Sequence, residues 1–255
     1  MKIALIQSDI EWEDITTNLS TATQTLQNLR EKGVELVVFP EMFTTGCTIE
    51  PQNVAEGMEG RTVQWFKEQA SLCNFAIVGS VPIVENGYYY NRMLFVTPEG
   101  NIHTYNKRHL FSYGNEHLSY TAGNERTIVN YKNIRFLLQI CYDLRFPVYS
   151  RNLGDYDAAI YIAAWPEGRI NVWDKLIQAR AIENQCYVLA VNRVGKDKWG
   201  TYTGHTAIVD FYGNPVGECT ESMPGVIIYE LTLDKLQRFR EKFPVLADAD
   251  HFSIY

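Results

Sequence analysis

The stretch IRFLLQICYDLRFP, residues 134–147, places a cysteine directly after an apolar run. The run IRFLLQI predicts a buried strand, and the residues after it predict a helical turn, so Cys141 stands where a strand gives way to a helix. Such a turn exposes the side chain and directs backbone N–H groups toward it. Cys141 is therefore a candidate nucleophile, with the N–H of Tyr142 as an oxyanion-hole donor. A buried cysteine is more often an inert apolar residue, and this motif alone leaves both interpretations open.

Two further polar residues lie at or near the ends of predicted strands. Glu41 follows the apolar run VELVVFP, and Lys107 lies in YNKRHLF after a strand of alternating pattern. Each of them alone fits a solvated loop residue. Together with Cys141 they supply a general base, an oxyanion stabiliser and a nucleophile. This set indicates attack on a carbon–nitrogen bond through a thioester, whereas the lack of a GxSxG motif disfavours Ser–His–Asp chemistry.

Strand patterns alternate with helix patterns along the chain. Helical spacing of apolar residues covers 15–32, 62–72 and 172–184, and the segments between them contain apolar runs or alternations with hairpin signals at 98–100 and in DFYGNPVGE. This order predicts two packed sheets with helices outside, a layered α/β sandwich. No linker, composition shift or repeat divides the sequence, which predicts one domain over 1–255 with about 240–255 as a packing arm.

Composition excludes several classes of function. The 255 residues carry a net charge of −7, which argues against nucleic acid or an anionic membrane as a partner. The five cysteines are widely spaced and form no CxxC or zinc pattern, so we expect neither a disulfide framework nor a metal, and no cofactor motif is found. The N-terminus lacks the features of a signal peptide, and reduced thiols fit a cytoplasmic protein.

The three motifs together resemble those of the nitrilase superfamily of carbon–nitrogen hydrolases, and the match covers the whole chain. FPEMF is similar to the glutamate motif of that family, YNKRHLF to its lysine motif and ICYDLRFP to its cysteine motif. The resemblance implies a four-layer α-β-β-α sandwich, a homodimer formed through helices near the cysteine motif or a higher homo-oligomer, and a catalytic triad of Glu41, Lys107 and Cys141. It also implies a role for Glu116, in YGNEHLSYTAG, as a second glutamate that orients Lys107 or the substrate.

Within the superfamily, CYDLRFPVYSRN, AAWPEGRINVWDKLIQARAIENQCYVLAVNRVG and REKFPVLADADHF look most like bacterial omega-amidases. This resemblance implies that water hydrolyses the terminal amide of 2-oxoglutaramate or 2-oxosuccinamate to the dicarboxylate and ammonia. A deaminated-glutathione amidase, an N-carbamoyl hydrolase, a true nitrilase and a non-catalytic ligand-binding member remain alternatives.

An anionic substrate of this kind requires a cation in the site. Arg169 is the candidate for binding the distal carboxylate, because a guanidinium can donate two hydrogen bonds to it, and Arg193 and Arg108 are further candidates. A solvated arginine at a helix start is the alternative for Arg169. Trp165, Phe43 and the ring of Tyr142 are candidates for pocket walls, with ordinary core positions as their alternative.

Overall fold

The computed structural model describes residues 1–250, 252 and 253. In that part of the chain the backbone forms two large sheets and one small hairpin. The strands, in chain order, are β1 (Lys2–Gln7), β2 (Leu36–Val38), β3 (Ala76–Glu85), β4 (Tyr88–Val96), β5 (Ile102–Asn106), β6 (Ile128–Tyr131), β7 (Ile134–Ile140), β8 (Ala158–Ala163), β9 (Tyr187–Asn192), β10 (Val194–Asp197), β11 (Gly200–Thr203), β12 (Ala207–Val209), β13 (Pro215–Glu218) and β14 (Gly225–Glu230).

The two six-stranded sheets have the same plan. The first has the order β14-β1-β2-β3-β4-β5 and the second the order β6-β7-β8-β9-β12-β13. In each, three central strands run parallel, and the outer strands pair antiparallel to their neighbours. Strands β10 and β11 form a separate antiparallel hairpin. Parallel strands need crossover segments, and these segments supply the helices on the outside.

The α-helices lie mainly in the crossovers. They are α1 (Ile15–Gln27), α2 (Arg61–Cys73), α3 (Glu116–Ser119), α4 (Pro147–Ser150), α5 (Ile170–Asn184) and α6 (Leu233–Lys242). Asp14 caps the N-terminus of α1, since its side chain accepts a hydrogen bond from the N–H of Thr17. This helix ends earlier than predicted, and a short 3-10 turn follows it before Gly33, whose φ of +66° ends the segment.

Alternating side chains of the strands fill three apolar layers. On β1, Ile3 and Leu5 point into the core between the sheets, while Ala4 and Ile6 point out toward α1 and α2. The second sheet divides in the same way, with its outer face packed against α5 around Trp173. Because the central strands are buried on both faces, most of their positions are apolar, as in LVV of β2 and AAIYIA of β8. The predicted α-β-β-α sandwich is confirmed.

The beginning of the C-terminal segment packs on the body of its own chain. In α6, Arg240 donates to the carbonyl oxygen of Gln185 and to the carboxylate of Asp157, each at 2.9 Å. The amide of Gln185 donates in turn to the carbonyl oxygen of Phe243 at 2.7 Å. The predicted arm extends further, and its residues 251, 254 and 255 lie outside the described part of the chain.

Candidate active site

A cavity of about 310 Å³ opens where the two sheets meet at the carboxyl ends of their parallel strands. Glu41 follows β2 and Lys107 follows β5 in the first sheet, while Cys141 follows β7 and Trp165 lies two residues after β8 in the second. Side chains that the sequence separates by up to 124 positions therefore face one space. Further predicted residues that line it are Glu116, Tyr142 and Arg169.

The backbone at Cys141 is bent sharply. Its φ is +47°, a left-handed conformation that costs free energy for a residue with a side chain. Cys141 also begins a short 3-10 helix, Cys141–Arg145, in which the first N–H groups lack a carbonyl partner in the preceding turn. The predicted strand-to-helix elbow is therefore present, and Tyr142 is the second residue of this helix.

The carboxylate of Asp143 holds this bend in place. It is completely buried and accepts hydrogen bonds from the N–H of Ile140 at 2.9 Å and from the Tyr105 hydroxyl at 2.7 Å. It also accepts the N–H of His109 at 2.9 Å and lies 2.8 Å from the Nδ1 of that residue. Tyr105 and His109 flank Lys107 in the sequence. Asp143 consequently fixes the segment that carries the lysine against the segment that carries the cysteine.

Lys107 lies between two glutamates. Its Nζ donates to Glu41 Oε1 at 2.8 Å and to the two oxygens of Glu116 at 3.0 and 2.9 Å. Glu116 also accepts the N–H of Phe111. The loop after β5 therefore folds back so that its Glu116 contacts Lys107 at the start of the same loop. The second Glu41 oxygen, Oε2, accepts the N–H of Ala164 at 2.9 Å, and Glu41 is close enough to Cys141 to raise the pKa of its thiol.

Burial and neighbouring charges set the protonation of these groups in opposite directions. Burial acts to raise the pKa of Glu41, but the Lys107 charge and the hydrogen bonds from Lys107 and Ala164 outweigh it, and the pKa lies below its usual value. Burial acts to lower the pKa of Lys107, but Glu116 and Glu41 raise it well above normal. For Cys141, burial and then Glu41 raise the pKa, so the resting group is a neutral thiol.

Two arginines line the cavity beside aromatic rings. The Arg169 guanidinium lies 5.3 Å from the Phe111 ring centre, and that of Arg145 lies 4.9 Å from the Trp165 ring centre. Trp165 is almost wholly buried, and its Nε1 donates to the carbonyl oxygen of Arg169 at 2.8 Å. Among the described residues, neither arginine has a carboxylate within 4.0 Å. The sequence interpretation missed Arg145, although it lies within the cysteine motif.

The prediction that Phe43 forms a pocket wall is wrong. Its ring stacks on Phe39 at 4.7 Å and packs edge-on against Phe66 at 5.6 Å, in the apolar layer between the first sheet and its helices. The chain turns at Met42, whose φ is +44°, so Glu41 reaches the cavity while Phe43 enters the outer layer. Tyr142 and Trp165 do line the cavity.

The hairpin of β10 and β11, which the sequence patterns did not reveal, borders the cavity through Trp199 and Tyr202. Arg193 is fully buried beside it and pairs with Asp197 at 2.8 Å, which explains why this arginine does not face the cavity. Arg108 does not line the cavity either, since it donates to the carbonyl oxygen of Gly123 at 3.2 Å.

Cys47, which lies in the segment between β2 and α2, also lines the cavity. Burial raises the pKa of its thiol well above normal. A second neutral thiol therefore stands in the same space as Cys141.

The part of the chain that the structure describes contains neither a cluster of metal-binding side chains nor a helix that could span a membrane. No group of three or more His, Cys, Asp or Glu side chains in that part of the chain is arranged to hold a metal ion. Nor does any of its helices combine the length and apolar character that crossing a bilayer requires.

The comparison with protein families defines the class. The model of the carbon-nitrogen hydrolase family matches residues 2–241, and the chain belongs to that family. It is therefore a hydrolase that acts on carbon–nitrogen bonds other than peptide bonds, as the motifs predicted.

Particular relatives are similar over their full length. The omega-amidase YafV of Escherichia coli strain K12 is 41% identical, with 100% of this chain and 99% of that protein covered. The 2-oxoglutaramate amidase of Bacillus subtilis is 34% identical, with 96% of each covered. The crystal structure of XC1258 from Xanthomonas campestris, a CN-hydrolase superfamily protein with an arsenic adduct in its active site, superimposes with a TM-score of 0.97 at 40% identity and covers 100% and 99% of the two chains.

The Asp143 network predicts a loss of both stability and activity on Asp143→Asn. An asparagine keeps the shape but turns one acceptor oxygen into a donor, so buried donors lose their partner. We expect the free energy of unfolding to fall by about 2–5 kcal/mol and amide hydrolysis to fall about 10- to 100-fold as Cys141 moves. Urea unfolding and ammonia release measure the two effects. Asp155→Asn, which alters a partly exposed pair with Arg126, is the control, and an equal effect of both substitutions would contradict the prediction.

Proposed function

We propose that this protein is an omega-amidase that hydrolyses the terminal amide of 2-oxoglutaramate or 2-oxosuccinamate. The observation that carries the proposal is one cavity in which Glu41, Lys107 and Cys141 face two arginines that have no carboxylate partner among the described residues. The triad suits the amide, and the arginines suit a carboxylate at the other end of a small molecule. The similarity to an omega-amidase and to a 2-oxoglutaramate amidase supports the same conclusion.

The charges in the cavity favour an anionic substrate. Lys107 is shared by Glu41 and Glu116 and offsets much of their charge. With Arg145 and Arg169 included, the cations outnumber the anions. We assign the substrate carboxylate to Arg169, whose backbone carbonyl oxygen accepts a hydrogen bond from Trp165 Nε1. Its guanidinium lies 5.3 Å from the Phe111 ring centre, and such a planar cation can donate two hydrogen bonds to a carboxylate.

In the proposed first half of the reaction, Glu41 takes the proton from the Cys141 thiol as sulfur attacks the amide carbonyl. The carbonyl oxygen becomes an oxyanion, which the Lys107 ammonium and the Tyr142 N–H stabilise. Glu41 then gives the proton to the amide nitrogen, and ammonia leaves a thioester on Cys141. Glu116 keeps Lys107 charged and oriented through its two hydrogen bonds.

In the second half, water replaces ammonia in the site. Glu41 removes a proton from that water as its oxygen attacks the thioester carbonyl, and the same Lys107 and Tyr142 groups hold the second oxyanion. The carbon–sulfur bond then breaks, the thiol regains the proton from Glu41, and the dicarboxylate departs. No group beyond those of the chain, the substrate and water enters these steps.

The size of the cavity favours the small keto acids over the alternatives. Ligand pockets span about 300–1,000 Å³, and this cavity lies at the lower end at about 310 Å³. A deaminated glutathione carries two further residues and would fill much more of it. A non-catalytic role is disfavoured because Lys107 is hydrogen-bonded to Glu41 and both line the same cavity as Cys141.

The proposal extends to the assembly and the compartment. Large apolar side chains are exposed on or beside the helices that flank the cysteine motif: Val148 at 58%, Leu153 at 61% and Ile182 at 54%. Covering them in a homodimer would remove this surface from water. All five cysteines are unpaired thiols, which is consistent with a reducing cytoplasm.

A panel of amides tests the proposed reaction. We expect rapid ammonia release from 2-oxoglutaramate and little from deaminated glutathione, an N-carbamoyl amino acid or a simple nitrile. Cys141→Ala should abolish release because no other group forms the thioester, whereas Cys73→Ala, a thiol outside the cavity, should retain it. Release from another compound alone would keep the chemistry and reject the substrate, and undiminished activity of Cys141→Ala would reject the mechanism.

Arg169→Ala tests the carboxylate assignment. Loss of a charge-assisted contact should raise KM for 2-oxoglutaramate about 10- to 100-fold while leaving KM for a neutral short-chain amide nearly unchanged. Arg238→Ala, on the exposed side of α6, is the matched control. An equal rise for the charged and the neutral substrate would refute the assignment.

The protonation states predict a flat pH profile. Glu41, with a lowered pKa, stays ionised and Cys141, with a raised pKa, stays protonated through the neutral range, so the reactive pair does not change. We expect kcat/KM to vary little between about pH 6 and pH 8, whereas a mechanism that needs a resting thiolate of ordinary pKa would lose about tenfold per unit of pH in this range. Initial rates across this range decide between them.

A further inference from the structure

Asn91 lies next to the proposed catalytic groups and has no part in the reaction as described so far. It is on β4, is completely buried, and its carbonyl oxygen accepts the N–H of Lys107 at 2.9 Å. Its Nδ2 donates to Glu41 Oε1 at 2.8 Å and reaches Glu116 Oε1 at 3.4 Å. The Asn91 side chain therefore contacts both glutamates, and its backbone carbonyl oxygen contacts the lysine between them.

The contacts of Asn91 make the two oxygens of Glu41 unequal. A carboxylate oxygen has two lone-pair positions. Oε1 receives two donors, Lys107 Nζ and Asn91 Nδ2, each at 2.8 Å. In the part of the chain that the structure describes, Oε2 accepts only the N–H of Ala164, at 2.9 Å, so its second position has no donor. A proton that arrives at Glu41 therefore finds room on Oε2 only.

We infer that Asn91 is a positioning residue that keeps Glu41 ionised and reserves Oε2 for proton exchange with the Cys141 thiol. In that exchange the sulfur–hydrogen bond breaks, an oxygen–hydrogen bond forms on Oε2, and the electron pair stays on sulfur for attack. The inference rests on the proposed role of Glu41 as the base.

Charge explains why a neutral amide stands at this position. Two buried carboxylates share one ammonium, which leaves one negative charge without a cation of its own in a nearly dry space. A second lysine would bind both oxygens so strongly that Glu41 would be a poor base. An amide N–H₂ stabilises the carboxylates without adding charge, and its two hydrogens match two acceptors.

The test compares Asn91→Leu with Asn184→Leu. Asn184 is also fully buried but lies at the end of α5, away from the cavity, where it bonds to Asn152 and Arg180. Removing the Asn91 donor destabilises the ionised form of Glu41, so the pH at which activity falls on the acid side should rise by about one unit, a tenfold change in acid dissociation. Asn184→Leu should lower the melting temperature without moving this limb.

Asn91→Asp is a second variant that keeps the side-chain volume. It puts an oxygen where the donor stood, and two carboxylates in contact cannot both be ionised. We expect its acid limb to move to higher pH still, with kcat affected more than KM. If both Asn91 variants keep the wild-type limb and lose only thermal stability, as Asn184→Leu does, the inference is overturned.

A readout without substrate separates this inference from the proposed function. The pH dependence of iodoacetamide alkylation at Cys141, followed by peptide mass because Cys47 lines the same cavity, reports the same proton exchange. Suppose that wild type releases no ammonia from 2-oxoglutaramate, and that Asn91→Leu, unlike Asn184→Leu, shifts the pH at which alkylation falls on the acid side. The omega-amidase proposal then fails and the role of Asn91 stands. An unshifted alkylation limb in Asn91→Leu rejects that role whatever the substrate.

Discussion

The buried carboxylate of Asp143 is the contact on which the site depends. It joins β5 of one sheet to the turn after β7 of the other, through Tyr105 and the N–H of Ile140. Without a fixed acceptor at this point, the strained φ of Cys141 would relax and the thiol would leave Glu41. Hydrogen bonds that cross between the sheets therefore stabilise the bend. The position of the Cys141 thiol depends on the packing of both sheets and not on its own segment alone.

The buried ion cluster follows from the same packing. Lys107 and its two glutamates are almost entirely removed from water, which is costly unless every charge has partners. Here each carboxylate oxygen has at least one donor: Lys107, Asn91, Ala164 or the N–H of Phe111. Such a cluster favours an ionised Glu41 near a neutral Cys141 thiol, so in the proposed mechanism proton transfer can accompany attack and need not precede it.

The sequence predicted those parts of this arrangement that depend on short stretches of neighbouring residues. Glu41, Lys107 and Cys141 lie in short motifs at or near the ends of predicted strands, so the sequence was enough to predict the fold class and to propose three candidate reactive groups, which line one cavity. Phe43 was assigned wrongly because two neighbouring residues can point into different layers when a left-handed residue, here Met42, lies between them. Asn91 gave no signal, since its importance arises from groups on other strands, and the β10–β11 hairpin is too short and polar to stand out.

Because the two sheets have the same strand order, each strand of one sheet has a counterpart in the other, and the residues that line the cavity can be compared strand by strand. Under that correspondence β2 matches β8, so the positions of Glu41 and Ala164 are close counterparts, and these two residues touch. Likewise β7, which ends at the nucleophile, matches β1, whose following residue is Ser8. The two sheets thus share one strand order, with Glu41, the proposed base, after a strand of the first sheet and the Cys141 thiol after a strand of the second. Glu41 and Cys141 come together where the two sheets meet, and neither sheet by itself carries both residues.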